Sequence, residues 1–98
     1  MYALMATVQQ NLDTLEDAIR LFKFKGAPAA QMQKGFQGVY LLTNSKTGKA
    51  IVLSMWDSKD DAVNTERSGY YQSEMKEFNQ HCAKPPVLEG YEVSVQVQ

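Results

Sequence analysis

The chain has 98 residues, 44% hydrophobic and 21% charged, with ten Lys and Arg against eleven Asp and Glu for a formal charge of −1. This is the composition of one ordinary globular domain, which excludes wholesale disorder, and the absence of a basic block argues against nucleic acid as a main partner. The single cysteine, Cys82, excludes an internal disulfide, and no window approaches the roughly 18 apolar residues of a membrane span. The opening MYALMATVQQ has neither the basic start nor the apolar run of a signal peptide, so a cytoplasmic protein in a reducing setting is expected.

Tyr2 to Gln9 reads as a first strand. A helix start follows: Asn11 and Asp13 are good caps, Thr14 with Asp17 has capping-box spacing, and Leu12, Leu15, Ile19 and Phe22 form one apolar stripe. Gly26 and Pro28 are expected to stop this helix, leaving 27–34 as a loop or a short helical turn. Phe36 to Thr43 is a second strand, Asn44 to Gly48 a turn, and Lys49 to Trp56 a third strand, so the two strands form a hairpin. Asp57 or Ser58 then caps a short helix, with Ser58 and Asp61 at capping-box spacing, and Ser68-Gly69 breaks or bends it. A further helix is expected from Tyr71, Met75, Phe78 and Cys82, ended by Lys84-Pro85-Pro86. The last strand is placed on Tyr91, Val93, Val95 and Val97, which alternate with Glu92, Ser94 and Gln96. The order β-α-β-β-α-β predicts an α+β, ferredoxin-like domain with a four-stranded antiparallel sheet.

Both helices of that arrangement cover one face of the sheet. Yet the third strand is apolar on both sides, with Ile51, Leu53 and Met55 opposing Ala50, Val52, Ser54 and Trp56. The second strand sets Phe36, Tyr40 and Leu42 against Val39 and Leu41. Burying a large apolar side chain is worth about 1.5–3 kcal/mol, so four or five left in water would cost much of the roughly 5–15 kcal/mol by which a domain is stable. A homodimer packed sheet to sheet is the expected partner arrangement.

Metal catalysis finds little support: one His and one Cys, adjacent at His81-Cys82, cannot supply a usual zinc set. His81 near a helix end, with no nucleophile elbow in the chain, makes no triad. Thr47-Gly48-Lys49 is a hairpin turn without P-loop spacing. Lys34 to Leu41 loosely echoes the signature of RNA-recognition domains, but on the second strand where that signature belongs on the third. What remains is an aromatic and sulfur-rich set: Tyr40, Trp56, Tyr70, Tyr71, Met32, Met55, Met75 and Phe78. Most suit an ordinary core. Together they also suit an apolar pocket between sheet and helices, with tyrosine hydroxyls and Ser54 as polar handles. Tyr40, Ser54, Trp56, Tyr70, Tyr71 and Met75 are the candidate ligand-binding residues.

The hairpin followed by Leu53-Ser54-Met55-Trp56-Asp57-Ser58-Lys59-Asp60, a short helix and a tyrosine-bearing helix resembles the antibiotic biosynthesis monooxygenase family. Its sharp motif is the Trp-acidic-Ser step, here Trp56-Asp57-Ser58. The resemblance implies a dimeric α/β barrel. It further implies oxidation of an aromatic or polyketide-like small molecule by molecular oxygen without metal, flavin or other cofactor, the substrate being activated as a carbanion. Trp56 and, allowing one extra hairpin residue, Tyr40 match positions that line the pocket in that family. The asparagine expected four residues before the tryptophan is Val52, and the tyrosine expected six after it is Ala62, so an amide that could orient an oxygen intermediate is replaced by a side chain that cannot hydrogen-bond. The haem-degrading members use an Asn, a Trp and a His; their Trp position falls near Thr65 and their His near Met75, so haem ligation is not implied. Superfamily relatives also include lactone isomerases and small stress-responsive proteins. Two readings follow. One is a cofactor-independent monooxygenase in which Trp56 and Tyr40 shape the pocket and Tyr70 or Tyr71 supplies a hydroxyl. The other is a non-catalytic homodimer that binds a small hydrophobic ligand.

Overall fold

A computed structural model describes residues 1–68 and 86–97. The elements are β1 (Tyr2–Gln9), a 3-10 turn (Leu12–Thr14), α1 (Leu15–Leu21), a π-helical segment (Phe22–Gly26), α2 (Ala27–Gln31), β2 (Phe36–Thr43), β3 (Lys49–Trp56), α3 (Lys59–Arg67) and β4 (Val87–Glu92). The strands form one antiparallel sheet in the order β2-β3-β1-β4. This is the expected α+β, ferredoxin-like arrangement; the helix predicted around Tyr71 to Cys82 lies outside the described residues. No helix among the described residues is long and apolar enough to cross a membrane.

β1 pairs with β3 from Tyr2↔Trp56 to Gln9↔Lys49, which puts Leu4, Ala6 and Val8 on the same face as Ala50, Val52 and Trp56. α1 and the segment after it pack there, and Ala6, Val8, Ala18, Phe22, Ala50 and Val52 form the buried cluster. The expected stripe begins at Leu15 rather than Leu12, which is 55% exposed. The Thr14–Asp17 capping box does not form, because the Thr14 hydroxyl donates to the Asn11 carbonyl at 3.2 Å.

Gly26 does not stop the first helix. The backbone stays helical there (φ −65°, ψ −51°) and widens into π geometry over Phe22–Gly26 before α2 begins. Pro28 falls in the first turn of α2, where its missing N–H leaves no bond unmade. A Cβ at Gly26 would stand 3.0 Å from the Phe22 ring, so the glycine serves close packing rather than termination.

The hairpin turn forms as expected. Gly48 takes a left-handed φ of 79° over the Gln10 carbonyl, and Asn44 Oδ1 accepts from the Lys46 N–H at 2.9 Å. A bulge at Gln37 changes the phase of β2: Phe36 pairs with Trp56, and Gly38 with Met55. Phe36 therefore shares the helix-side face with Val39 and Leu41, not the face of Tyr40 and Leu42 that strict alternation assigns to it.

The last strand is displaced from its expected position. β4 pairs with β1 from Thr7↔Val87 to Tyr2↔Glu92. Beyond it only the Val93 N–H reaches the Met1 carbonyl, at 3.0 Å, and 93–97 form no ladder. Val95 and Val97 are 80% and 87% exposed. Alternation reports a two-faced pattern, whereas a strand needs a neighbour to bond, and β1 ends opposite Glu92.

The face away from the helices carries Met5, Ile51, Leu53 and Met55, half-buried, and Tyr40, Leu42, Val87 and Tyr91, exposed. The apolar character of β3 on both sides is thus a feature of the fold: one side meets the helices and the other lies open in the single chain.

Candidate functional site

β3 delivers Val52, Ser54 and Trp56 at period two to the space between sheet and helices. They form the floor of a cavity of about 50 Å³ whose walls include Leu4, Phe22, Thr65 and Glu66. Trp56 is 2% exposed, and its position is over-determined. Its Nε1–H donates to Ser54 Oγ at 3.0 Å, and its ring meets Phe36 edge to face, with centroids 5.8 Å apart and planes at 84°. The bulge at Gln37 is what brings Phe36 to that position.

α3 closes the cavity from above. Ser58 caps it, its Oγ accepting from the Asp61 N–H at 3.1 Å, as the capping-box spacing predicts. Backbone pairing of the Asp57 N–H with the Gly35 carbonyl at 2.8 Å fixes the corner between β3 and α3. With its start fixed, α3 turns Ala62, Thr65 and Glu66 (i, i+3, i+4) toward the sheet. Ala62 is fully buried and Thr65 nearly so. Glu66 is half-buried and is the only charged side chain among the described residues that line the cavity.

Ser54 and Trp56 are thus brought together in one cavity. Tyr40 is not brought to them. It pairs across to Leu53, so it projects from the opposite face, is 59% exposed, and borders a separate depression of about 380 Å³ with Gln37, Met55 and Gln96. Tyr70, Tyr71 and Met75 lie outside the described residues. Met32, 85% exposed, is not core. Val52 sits in the cavity, 8% exposed, so the position where the resemblance expects an amide is apolar and faces the site. Thr65 and Glu66 escape a reading that looks for aromatics and sulfur. The signal that finds them is the helical wheel started from the Ser58 cap.

On the open face, the Tyr91 hydroxyl donates to Glu89 Oε2 at 2.6 Å. This hydrogen bond, with a smaller contribution from desolvation and from the Glu89 charge, holds the Tyr91 hydroxyl above the usual tyrosine range. Among the described residues no three His, Cys, Asp or Glu side chains stand together in a group that could hold a metal ion.

No family model matches the sequence, and no curated protein matches it. Solved structures do. A protein from Bordetella bronchiseptica, named as a candidate antibiotic biosynthesis monooxygenase, superposes with a TM-score of 0.83 at 17% identity, covering 96% of this chain and 97% of its own. One of the same description from Nitrosomonas europaea gives 0.82 at 12% identity, covering 97% and 100%. Another from Caulobacter crescentus gives 0.78 at 20% identity, covering 96% and 90%. At these identities the likeness establishes the fold, which is that of the antibiotic biosynthesis monooxygenase proteins.

Proposed function

We propose that this chain, on the fold of the antibiotic biosynthesis monooxygenase proteins, binds an aromatic or polyketide-like small molecule between sheet and helices and oxidises it with molecular oxygen. The observation that carries the reading is the Trp56–Ser54 pair. An indole N–H donating to a serine oxygen leaves the serine proton free to donate in turn to a developing oxyanion, in an otherwise apolar site. For a ring methylene conjugated with a carbonyl, as across the central ring of an anthrone, a proton leaves the carbon and the carbanion reduces dioxygen. One oxygen ends in a new carbonyl and the other in water, so CH₂ plus O₂ gives C=O plus H₂O.

The cavity of about 50 Å³ is below the roughly 300–1,000 Å³ of ligand sites. Phe22 and Val39 are walls that it shares with an outer groove of about 290 Å³ beside α1 and β2. In this proposal a turn of the Phe22 ring joins the two spaces when a ligand enters. Supporting the second reading, a non-catalytic ligand binder, are Val52 and Ala62, buried and without hydrogen-bonding groups. The two readings separate on one preparation, with anthrone as probe. Oxygen uptake above the uncatalysed blank, matched by anthraquinone formed, supports the enzyme. Quenching of Trp56 fluorescence without oxygen uptake supports the binder. Neither response would place the function elsewhere than in this cavity.

The open apolar face supports a homodimer packed sheet to sheet, with Tyr40, Leu42, Val87 and Tyr91 covered by a second copy. Size-exclusion chromatography with light scattering tests it: a dimer is expected at micromolar concentration, and Leu42→Lys should release monomer. A wild-type monomer under those conditions refutes it.

A further inference from the structure

Beside the apolar side chains of the open face, the strand registers put two charged ones on the same side of the sheet. Lys49 stands opposite Gln9 at the turn end of β3, and Glu89 stands opposite Met5 on β4. Both are exposed, and no ion pair among the described residues involves either. The Tyr91 hydroxyl donates to Glu89 Oε2 at 2.6 Å and so orients the carboxylate, which as an acceptor of several hydrogen bonds can take a cation as well. The face is large enough to dock. Four strands about 4.8 Å apart and about seven residues long give about 450 Å² per copy, so two stacked faces approach the roughly 1,000 Å² of a specific interface. A lone carboxylate or ammonium covered by hydrocarbon would oppose that docking, whereas a pair of opposite sign with a further hydrogen bond does not.

Symmetry decides how the charges meet. A two-fold axis lying between two stacked sheets that carries Glu89 onto Lys49 of the second copy also carries Lys49 onto Glu89 of the second copy, so one rotation makes both pairs. The two residues are two strands and four residues apart, about 17 Å on a sheet treated as flat. The line midway between them runs at about 55° to the strands and passes within about 3 Å of the middle of the sheet, so the two faces overlap almost fully. Strands of the two copies then cross at about 70°, in the orthogonal class of sheet packing. An axis along the strands would instead set Glu89 at the level of Tyr40 of the second copy and Lys49 at the level of Gln9, with both charges on neutral groups.

We infer that the partner of the open face is a second copy of this chain, docked with Lys49 of each copy on Glu89 of the other, and that these two symmetric ion pairs set the rotation of one sheet on the other. The inference rests on the homodimer proposed above and adds what orients it. The apolar side chains supply the affinity. The pairs select one rotation among those a hydrocarbon face tolerates, because a rotation that misses them leaves charge unpaired inside the contact.

The test exchanges the charges and reads the dimer by light scattering across a dilution series. Lys49→Glu puts two carboxylates together at both contacts, and Glu89→Lys two ammonium groups, so each change alone should raise the dimer Kd at least about tenfold. Both positions are exposed in the single chain, so circular dichroism should match the wild type. Mixed in equal amounts, the two variants should form a heterodimer with a Kd within about threefold of the wild type, since each offers the charge that the other lacks at both contacts. A chain carrying both changes should dimerise by itself in the same range. Single changes that leave the dimer intact overturn the pairs and leave the dimer standing. So do a mixture and a doubly changed chain that both stay monomeric. A wild-type monomer at micromolar concentration overturns the pairs and the dimer together.

Discussion

Replacing Trp56 with phenylalanine should cost about 2–3 kcal/mol of stability. The lost Nε1–H···Oγ bond to Ser54, 3.0 Å long and inside the protein, contributes about 1 kcal/mol net. The smaller ring gives up part of the packing of a residue only 2% exposed, worth a further 1–2 kcal/mol or about that, while much of the edge-to-face contact with Phe36 survives in a phenyl ring. For a domain of 98 residues this lowers Tm by about 8–24 °C. Ser54→Ala removes the acceptor instead and leaves a buried indole N–H without one, at about 1–3 kcal/mol. In a double-mutant cycle the two changes should therefore couple by about 1 kcal/mol. Urea unfolding followed by circular dichroism, at one fixed protein concentration so that any dimer contributes equally, measures all four corners. A Trp56→Phe loss below about 0.5 kcal/mol, or additivity within about 0.3 kcal/mol, would refute the claim that this pair is a built, mutually supported floor of the cavity.

Ser58→Ala should lower stability by about 1 kcal/mol, because the Asp61 N–H loses its acceptor, and thermal unfolding should show a drop of about 4–8 °C. Gly48→Ala should cost about 2 kcal/mol or more in denaturant unfolding, since it forces a side chain to φ 79° and sets a Cβ against the Gln10 carbonyl oxygen. In an ultraviolet titration Tyr91 should ionise above the ordinary tyrosine value of about 10, and Glu89→Gln should bring it back toward that value. Because the folded protein holds the proton more tightly than the unfolded chain, the associated stability is present below the unfolded tyrosine value and is lost as pH rises through the folded one.

The strand limits of β1, β2 and β3 could be read directly from the chain because short runs of apolar, aromatic and β-branched residues, Gly and Asn punctuation and a flanking cap all point the same way at Tyr2–Gln9 and Phe36–Trp56. Three features could not. The widening of the helix through Gly26 depends on the Phe22 ring packing against the glycine, which a local rule that glycine ends helices does not contain. The bulge at Gln37 is set by pairing with β3, and it alone decides that Phe36 rather than Tyr40 reaches Trp56. β4 lies on Val87–Glu92, where two glutamates and Gly90 give a poor strand pattern, because all six residues are exposed and the ladder with β1 supplies the order. For the site, Trp56 was legible through the Trp-acidic-Ser step and Ser54 as a polar handle beside the aromatic set, whereas Thr65 and Glu66 required the three-dimensional phase of α3.

The two faces of β3 carry the two halves of the functional argument on adjacent residues. Val52, Ser54 and Trp56 face the cavity; Ile51, Leu53 and Met55 face the open side, where a second copy is proposed to sit. A period of two keeps these sets from sharing side-chain contacts, yet both are held by the same backbone ladders to β1 and β2. Covering the open face would therefore restrain the strand that positions the indole and the serine hydroxyl without adding a group to the site. If the proposed cavity chemistry depends on a rigid floor, dissociating the dimer through Leu42→Lys should weaken ligand quenching of Trp56 even though Leu42 stands on the far side of the sheet. If quenching is unchanged in the monomer, the ladders within one chain suffice to hold the floor, and the dimer contributes stability rather than function.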